Sequence, residues 1–370
     1  MIKDAIRDWL AKECTRELIA QLDESDEFPV KLLRKLAKLG FCGMTIPEEQ
    51  GGEGRNILAT CIVVEQIANL YPALARSFAG KAILGGALID GLGSDQQKEK
   101  YLSKCAKGKL LVALAHTQKP RAEKPFSAHE DGVNYVLNGE KHFVTNADQA
   151  QLLLVSTGVD ACENQTNEFS AWFLVDPNLD GVLVHPVEKV GYKGARYCTV
   201  NFDNVLLNRS DLFGGEASVG KGAEYWDRIM DFLMLAVAAE AVGMAQGAFD
   251  YTLKHARQRV QFGKAIGKFA AIRSRFAEMA CAIDAARLML YRTCWLADRN
   301  KPFHREVSLT NFSACEAAHR CAMEGLQIYG GYGYTMEYDI QRYVRDSVGL
   351  AMTGTSQSTV SAWIGIGLGL

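Results

Sequence analysis

The stretch from Gln327 to Gln357 combines glycines, arginines and small hydroxyl residues in an order that suits an anionic ligand. It begins as a helix, stops at the pair Gly330-Gly331, restarts as a polar helix and closes on the loop TGTSQ. Two adjacent glycines at a helix end let backbone N–H groups approach a phosphate closely. A helix C-cap followed by a turn produces the same pattern, so this stretch alone leaves both interpretations open.

A second stretch, Arg259–Ile272, reads RVQFGKAIGKFAAI. Together, the patterns R-x-Q-F-G-K-x-I-G-x-F-x-x-I and Q-I-x-G-G-x-G-Y-x-x-E-x-x-x-x-R-x-x-R-D resemble the acyl-CoA dehydrogenase family. The likeness follows the family's order over nearly the whole chain. It implies an FAD-dependent enzyme that acts on acyl thioesters and assembles as a homodimer or homotetramer.

The resemblance assigns one group of residues to the flavin ring. Thr117 stands where the family has a threonine whose hydroxyl hydrogen-bonds the ring. Phe143, Val144 and Thr145 stand where the family has W-I-T or W-I-S, an aromatic wall followed by a hydroxyl. Phenylalanine in place of tryptophan keeps the stacking surface and loses the indole N–H.

A second group is assigned to the remainder of the FAD. The match implies that Arg259, Gln261 and Phe262 reach the FAD of a neighbouring subunit, with the arginine meeting the pyrophosphate charge. It implies that Gln327, Gly330 and Gly331 contact the ADP portion of the FAD. Thr355 and Gln357 are assigned to the other side of that portion.

The substrate end departs from the family pattern. Abstraction of a weakly acidic Cα proton needs a carboxylate base within hydrogen-bond reach, and the family supplies a Glu before G-T-S. Here that position is Thr353, a neutral hydroxyl that cannot serve as the base, followed by the substrate-facing Gly354. The family's alternative Glu-Arg pair corresponds to Leu233 and the substrate-facing Met234.

Other residues are candidates for the base. His116 precedes Thr117, although alternation along a strand would turn it to the opposite face. Asp231 and Glu240 are carboxylates in an otherwise apolar helix, each either a group of raised pKa or the partner of a buried arginine. His142 and His116 can equally be hydrogen-bonded structural histidines.

A third departure is the loop TQKPRAEKPFSAHED, which replaces the family's T-E-P-G-A-G-S-D at the thioester entrance. Lys119, Arg121 and Lys124 make it basic. It is either a solvated loop or a contact for a phosphopantetheine arm or an acidic carrier protein.

A retained flavin end beside an altered substrate end predicts redox chemistry on another bond. The main hypothesis is oxidation of a hydroxyacyl or aminoacyl thioester tethered to an acyl-carrier protein, as in polyketide and other secondary metabolism. The alternatives are an acyl-CoA dehydrogenase with a non-standard base, a flavin monooxygenase of the same fold, and a non-catalytic flavin-binding subunit. An electron-transferring flavoprotein is the expected electron acceptor.

The elements that must position these residues follow a helical, β, helical order. Apolar residues at helical spacing predict an N-terminal helical domain over 1–109. Alternating segments predict a middle β-barrel or sandwich domain over 110–214, with a hairpin signal at Asn138-Gly139. Long apolar helices then predict a C-terminal four-helix-bundle domain over 215–370, which completes an α+β multidomain fold.

Composition narrows the partners and the compartment. A net charge of −2 without a Lys/Arg-rich run disfavours nucleic acid. No apolar run of membrane-spanning length or signal peptide is evident, which argues against a membrane partner. Ten cysteines without C-x-x-C pairs predict reduced thiols, no metal site and a cytoplasmic protein.

Overall fold

A computed structural model describes residues 2–117, 126–159, 171–350, 352–353 and 356–367. The helices are α1 (Ile2–Glu13), α2 (Arg16–Ser25), α3 (Val30–Lys38), α4 (Ile57–Leu70), α5 (Pro72–Ala79), α6 (Leu88–Leu92), α7 (Asp95–Ala106), α8 (Gly222–Gln258), α9 (Ala270–Asp298), α10 (His304–Tyr329), α11 (Ile340–Leu350) and α12 (Gln357–Gly367). The strands are β1 (Val112–Ala115), β2 (Ser127–Asp131), β3 (Asn134–Thr145), β4 (Leu152–Val159), β5 (Ala171–Val175), β6 (Val182–Val187), β7 (Tyr197–Asn208), β8 (Val260–Gln261) and β9 (Lys264–Ala265). The predicted helical, β, helical fold class is confirmed.

The N-terminal helices form because apolar residues recur on one face and because polar residues cap their ends. Ser94 caps α7: its Oγ accepts from the Gln97 backbone N–H, and the Gln97 side-chain oxygen accepts from the Ser94 backbone N–H. A π-helical segment, Gly80–Ala87, joins α5 to α6. Such segments are frequent at functional sites, and this one lies beside the cavity described below.

The middle region is a seven-stranded sheet in the order β1-β4-β2-β3-β7-β6, with β5 paired to β4. Its inward side chains form a second core, separate from the one shared by the helices, that includes Leu137, Phe173 and Val205. The two long strands β3 and β7 run antiparallel.

The hairpin predicted at Asn138-Gly139 is wrong, because β3 runs straight through that dipeptide. The turn between β2 and β3 lies instead at residues 132–133. Gly139 has a φ of 120°, and a Cβ there would lie 3.0 Å from the Phe126 backbone. The glycine therefore serves a local irregularity and a close approach within the sheet, and not a chain reversal.

Helix α8 is the central element of the C-terminal region, where it packs against α4, α9 and α10. It contains a segment of mean hydropathy 1.6 that is long and apolar enough by composition to cross a membrane, so the expectation that the sequence holds no such run is wrong. Of that segment, 83% is buried inside the protein. Core packing is therefore sufficient to account for the apolar character of α8.

Two glycines let α8 lie directly against α4. A Cβ at Gly243 would lie 2.1 Å from the Glu65 carbonyl oxygen, and one at Gly247 would lie 2.0 Å from the Asn69 carbonyl oxygen. They are four residues apart and so share one helix face. This contact sets the position of α8, and hence of the α8 residues that line the cavity.

Replacing Gly243 with alanine should therefore destabilise the fold. Overpacking of a dense interior typically costs about 1–3 kcal/mol, and here the obstacle is backbone. The matched control is Gly91→Ala in α6, where a Cβ meets nothing within 4 Å and where about 0.5–1 kcal/mol of stabilisation is expected. Denaturant unfolding of both variants measures the difference, and equal midpoints would refute the close-contact account.

Candidate active site

A cavity of about 370 Å³ lies where the three regions of the chain meet. Its walls come from α5 and the following π-helical segment, from β1 and β3, from α8, and from the segment after α11. Most of the wall is apolar, and the polar part is concentrated in a few side chains. The lining residues used below are Arg76, His116, Thr117, Phe143, Thr145, Asn146, Tyr197, Leu233, Ala236, Val237, Glu240 and Thr353.

The structure brings His116 and Thr117 to the cavity together. Alternation had predicted opposite faces for them, but β1 ends at Ala115 and the strand periodicity ends with it. Both residues line the cavity, with His116 Nε2 3.3 Å from Thr117 Oγ1. The His116 ring also lies 5.6 Å from that of Trp226.

Phe143 reaches the cavity through an irregularity in β3. The pairing of β3 with β7 shifts between Lys141 and Val144, and Phe143 has a φ of 54°, which is rare for a bulky residue. Its side chain is 63% exposed. A bulge of this kind re-aims a side chain, and here it leaves a flat aromatic face at the cavity wall.

The next two residues divide between core and cavity. Val144 is 1% exposed and packs in the β core, so its side chain does not reach the cofactor position that the sequence suggested. Thr145 lines the cavity. Of the three-residue match, Phe143 and Thr145 therefore present their side chains to the site.

Thr353 also lines the cavity, and its hydroxyl is already engaged. Thr353 Oγ1 donates to the Gly349 carbonyl at 2.8 Å and accepts from Arg76 Nη1 at 2.7 Å. The Tyr197 hydroxyl lies 3.4 Å away. A hydroxyl held in this way is a poor proton acceptor.

Arg76 organises this part of the wall. Its Nε and Nη2 both donate to Glu240 Oε2 at 3.1 Å, and its Nη1 also donates to the Tyr197 hydroxyl at 3.1 Å. The guanidinium carbon lies 3.9 Å from the centre of the Tyr192 ring. We call Arg76, Glu240, Tyr197 and Thr353 the arginine cluster.

Burial and charge shape the ionisation of this cluster. Burial raises the pKa of Glu240, and the Arg76 charge and the nearby Tyr192 hydroxyl partly offset that rise. Burial alone would lower the pKa of Arg76, but the Glu240 carboxylate raises it above its usual range. The guanidinium therefore stays charged, while the carboxyl holds its proton more readily than an exposed glutamate does.

Two residues proposed from the sequence lie elsewhere. Asp231 is buried and paired with His304, whose Nδ1 lies 2.6 Å from Asp231 Oδ1, and neither residue lines the cavity. Burial raises the pKa of Asp231, and the hydrogen bond to Asp231 raises that of His304. Met234 is 2% exposed and packs in the core, and its neighbour Leu233 faces the cavity instead.

The residues assigned to the remainder of the FAD form a separate exposed surface. Arg259 directly precedes β8, Gln261 ends it, and both are exposed. Phe262, in the turn between β8 and β9, is 91% exposed with a φ of 50°. This hairpin lies beside the end of α10, because the Arg259 guanidinium carbon is 5.9 Å from the Tyr332 ring centre. The His255 ring stacks on the Tyr329 ring, with 3.9 Å between ring centres, and so connects the end of α8 to the end of α10.

The paired glycines complete that surface. Gln327, Gly330 and Gly331 are exposed, and a Cβ on either glycine would meet nothing within 4 Å. Gly330 has a φ of 65°, which a glycine adopts without strain. We call the exposed residues Arg259, Gln261, Phe262, Gln327, Gly330 and Gly331 the hairpin surface, and none of them lines the cavity.

The remaining assignments fall at or beyond the limits of the described chain. Gln357 begins α12, and its Oε1 is buried with no hydrogen-bond partner among the residues that the structure describes. Gly354, Thr355 and the basic loop with Lys119, Arg121 and Lys124 lie outside the described residues.

Sequence reasoning missed Arg76, Tyr197 and Asn146. Arg76 is a lone charge in the apolar stretch that includes α5, and an arginine in such a run needs a buried partner. That signal was available, but its pairing with Glu240, 164 residues away, was not. Asn146 is 2% exposed with a φ of 58° and donates to Ser77 Oγ at 3.1 Å.

The cavity fits the flavin ring that the sequence resemblance implies. Phe143 offers an exposed aromatic face, and Thr117 and Thr145 offer hydroxyls beside it in an otherwise apolar wall. A flat heteroaromatic ring needs this combination of stacking surface and a few oriented polar groups.

Comparison with known proteins agrees with this geometry. Family models of the acyl-CoA dehydrogenase N-terminal, middle and C-terminal domains match residues 1–109, 117–205 and 220–361. The caffeyl-CoA reductase-Etf complex subunit CarC of Acetobacterium woodii is 34% identical over 96% of this chain and 94% of its own length.

Solved structures agree as well. Butyryl-CoA dehydrogenase from Megasphaera elsdenii superposes with a TM-score of 0.91 and 25% identity over 99% of this chain and 98% of its own. The prolyl acyl carrier protein oxidase AnaB superposes with a TM-score of 0.92 over 100% of this chain and 98% of its own, and its 24% identity shows the fold alone. The chain therefore belongs to the acyl-CoA dehydrogenase family and is an FAD-dependent oxidoreductase that acts on acyl thioesters.

Proposed function

We propose that this enzyme oxidises a hydroxyacyl or aminoacyl thioester tethered to an acyl-carrier protein, at the carbon that bears the hydroxyl or amino group. The observation that carries the proposal is the arginine cluster. Where the family places a carboxylate base, this chain has Thr353, whose hydroxyl is held by Arg76. The charge of Arg76 is in turn matched by Glu240.

A small polar part of the otherwise apolar cavity wall favours a substrate that carries a polar group. Glu240 Oε1 is buried and accepts no well-formed hydrogen bond within the described part of the chain. A saturated acyl chain against it would leave that oxygen desolvated and unpaired, which is costly. A hydroxyl or amino group would donate to it, and sites with such buried polar groups discriminate strongly against analogues that lack the donor.

The residues of the chain divide the work of the reaction. When bound, FAD supplies the two-electron acceptor for the hydride that leaves the substrate carbon. Phe143 and the hydroxyls of Thr117 and Thr145 would hold its ring, and the apolar walls exclude water. Thr353 holds Arg76 through its hydroxyl oxygen and takes no proton, because a neutral hydroxyl is far too weak a base.

Two observations support a carrier protein as the group that holds the substrate. The basic loop at 119–124 suits the acidic surface or phosphopantetheine arm of a carrier, and it replaces the family's thioester-entrance sequence. The fold likeness to AnaB is compatible with this tether. The relative from Acetobacterium woodii is by name part of an Etf complex, and we extend to this chain the proposal that an electron-transferring flavoprotein accepts its electrons.

A second candidate is an acyl-CoA dehydrogenase with a non-standard base. It is favoured by the presence of two carboxyl side chains, Glu188 and Glu240, among the residues that line the cavity. The names of several relatives, such as the short-chain specific acyl-CoA dehydrogenase of Clostridium acetobutylicum at 28% identity, also favour it.

The hairpin surface completes the proposal as the part of the FAD site that a second copy supplies. Its aromatic, amide and guanidinium groups are exposed and separate from the cavity of their own chain. Its open glycines would let a pyrophosphate approach the backbone. The site is then incomplete in a single copy, and the enzyme works as a homo-oligomer.

Anaerobic bleaching of the flavin absorbance tests the substrate class. A 2-hydroxyacyl group and a seryl group on an acyl-carrier protein should bleach the flavin, because each presents a donor to the arginine cluster. Butyryl-CoA and octanoyl-CoA should not. Bleaching by the acyl-CoAs alone would overturn the proposal and leave the second candidate.

Replacing Thr353 with glutamate tests whether the chain merely lacks the family's base. We expect no acyl-CoA desaturation above the wild-type level, because a carboxylate at 353 would pair with Arg76, which now donates to Thr353 at 2.7 Å. Thr353→Gln is the uncharged control of similar size. Product analysis after incubation with butyryl-CoA is the measurement, and desaturation by the glutamate variant alone would favour the second candidate.

Replacing Arg259 with alanine tests the hairpin surface. Loss of a charge-assisted hydrogen bond to a pyrophosphate typically costs about 1.5–3 kcal/mol, or roughly a tenfold to hundredfold weaker FAD affinity. Arg257→Ala, an exposed arginine two residues away, is the control. Titration of FAD into apoprotein gives both affinities, and equal affinities would remove Arg259 from the site.

A further inference from the structure

Glu240 is bonded in an asymmetric way. An arginine and a carboxylate commonly pair through two parallel bonds that use both carboxylate oxygens. Here Arg76 Nε and Nη2 both donate to Oε2, each at 3.1 Å. Oε1 is buried and accepts no well-formed hydrogen bond from the residues that the structure describes. The Tyr192 hydroxyl, which also lacks a well-formed bond, is close enough to the carboxyl to help lower its pKa.

The carboxyl also lies on the correct face of its helix. The residues of α8 that line the cavity are Leu233, Ala236, Val237 and Glu240. Their spacing of three, four and seven residues places them in one stripe. Leu233 occupies the position of the Glu in the family's alternative Glu-Arg pair. Glu240 therefore presents a carboxylate to the same cavity two helical turns further along α8.

We infer that Glu240 is the general base of this enzyme, a catalytic residue that accepts the substrate proton on Oε1, and that Arg76 positions it. The assignment deepens the proposed function and rests on it for the identity of the substrate. It supplies the carboxylate that is missing at Thr353, from a different element of the fold.

The step balances for a hydroxyl or amino substrate. The O–H or N–H bond breaks and its proton moves to Glu240 Oε1, while the electron pair of that bond forms the new C=O or C=N bond. The C–H bond on the same carbon breaks, and its hydrogen leaves with both electrons as a hydride to the FAD that the family binds. The Glu240 proton then passes to solvent after the product has left.

Arg76 keeps the carboxylate usable at this depth. An isolated buried carboxylate would remain protonated and could not act as a base. Burial raises the pKa of Glu240, and Arg76 opposes the rise. The pKa therefore lies above that of an exposed glutamate, and a general base works best when its pKa is near the operating pH. The Arg76 bonds to Oε2 also fix the orientation of the carboxyl without occupying Oε1.

Several groups from other elements face this carboxyl and bear on its titration. They are Arg76 of α5, Tyr192 before β7, Tyr197 of β7, Cys315 of α10 and Asp346 of α11. Burial raises the pKa of Asp346 to about 7 and raises the pKa of Tyr192 well above its usual value. Arg76 is the only cation in this set.

The test compares Glu240→Gln with wild type as the FAD-loaded enzyme, using the thioester that bleaches the wild-type flavin fastest. Glutamine can still accept from Arg76 but cannot take up a proton. We expect the anaerobic bleaching rate to fall about 10²- to 10⁴-fold. The wild-type rate should decline at low pH as Glu240 becomes protonated, and this acid limb should be absent in the variant.

Two further measurements separate catalysis from folding. FAD content should be unchanged in Glu240→Gln, as should the affinity for a tethered analogue whose reacting carbon has no hydrogen. Glu65→Gln is the matched control, because Glu65 is also buried and accepts from an arginine, Arg287 Nε at 3.0 Å, but does not line the cavity. Its bleaching rate and acid limb should equal those of wild type.

Arg76→Met tests the positioning role. Removing the cation raises the pKa of Glu240, so the acid limb should move to higher pH by about one to three units. Arg76→Lys keeps a charge and should restore most of the wild-type position of the limb. If the low-pH decline in bleaching rate has the same midpoint in Arg76→Met as in wild type, Arg76 does not position Glu240.

The outcomes distinguish this inference from the proposed function. If only acyl-CoA bleaches the wild-type flavin, the proposed function falls, and Glu240 is still judged by the same variants with that substrate. A Glu240→Gln rate within tenfold of wild type, a retained acid limb, or a loss of FAD or analogue binding would overturn the assignment of Glu240. A wild-type flavin that no thioester bleaches would overturn both.

Discussion

The buried ion pair between Arg76 and Glu240 ties the three regions of this protein to one point. Arg76 comes from the N-terminal helices and Glu240 from the C-terminal bundle, and the same guanidinium reaches Tyr197 of the β region. Removing one partner of such a pair typically costs about 3–5 kcal/mol, because the remaining charge is buried and unpaired. The relative placement of the domains and the ionisation of the cavity wall are therefore coupled through one interaction.

Close backbone contact makes that pair possible. Gly243 and Gly247 remove the side chains that would separate α8 from α4. Because α8 is one continuous helix packed against α4, its cavity-facing stripe is held at a defined depth. The pair is thus maintained by helix packing some distance from the cavity, and the long apolar sequence of α8 is explained by that packing.

The cavity wall formed by β1 and β3 depends on local irregularities and not on regular structure. Phe143 adopts a left-handed backbone conformation at a register shift in β3, and β1 ends one residue before His116. Irregular backbone of this kind is held in place by its surroundings and gathers at functional sites. It also explains why alternation rules failed for the residues that matter most to the site.

By itself, the sequence determined the family and the order of helical and β regions, because motifs such as RVQFGK and QIYGGYGY specify local conformation at short range. It also singled out Thr117, Phe143 and Thr145, which the structure places in the cavity wall. It places Thr353 before G-T-S, where the resemblance led us to expect a Glu. It could not decide between Asp231 and Glu240, which lie nine residues apart on one apolar helix. Only the tertiary structure paired Asp231 with His304 and Glu240 with Arg76. The physical reason is that the fate of a buried carboxylate depends on partners from other elements, 73 and 164 residues away in the chain, and local patterns hold no information about contacts at that distance.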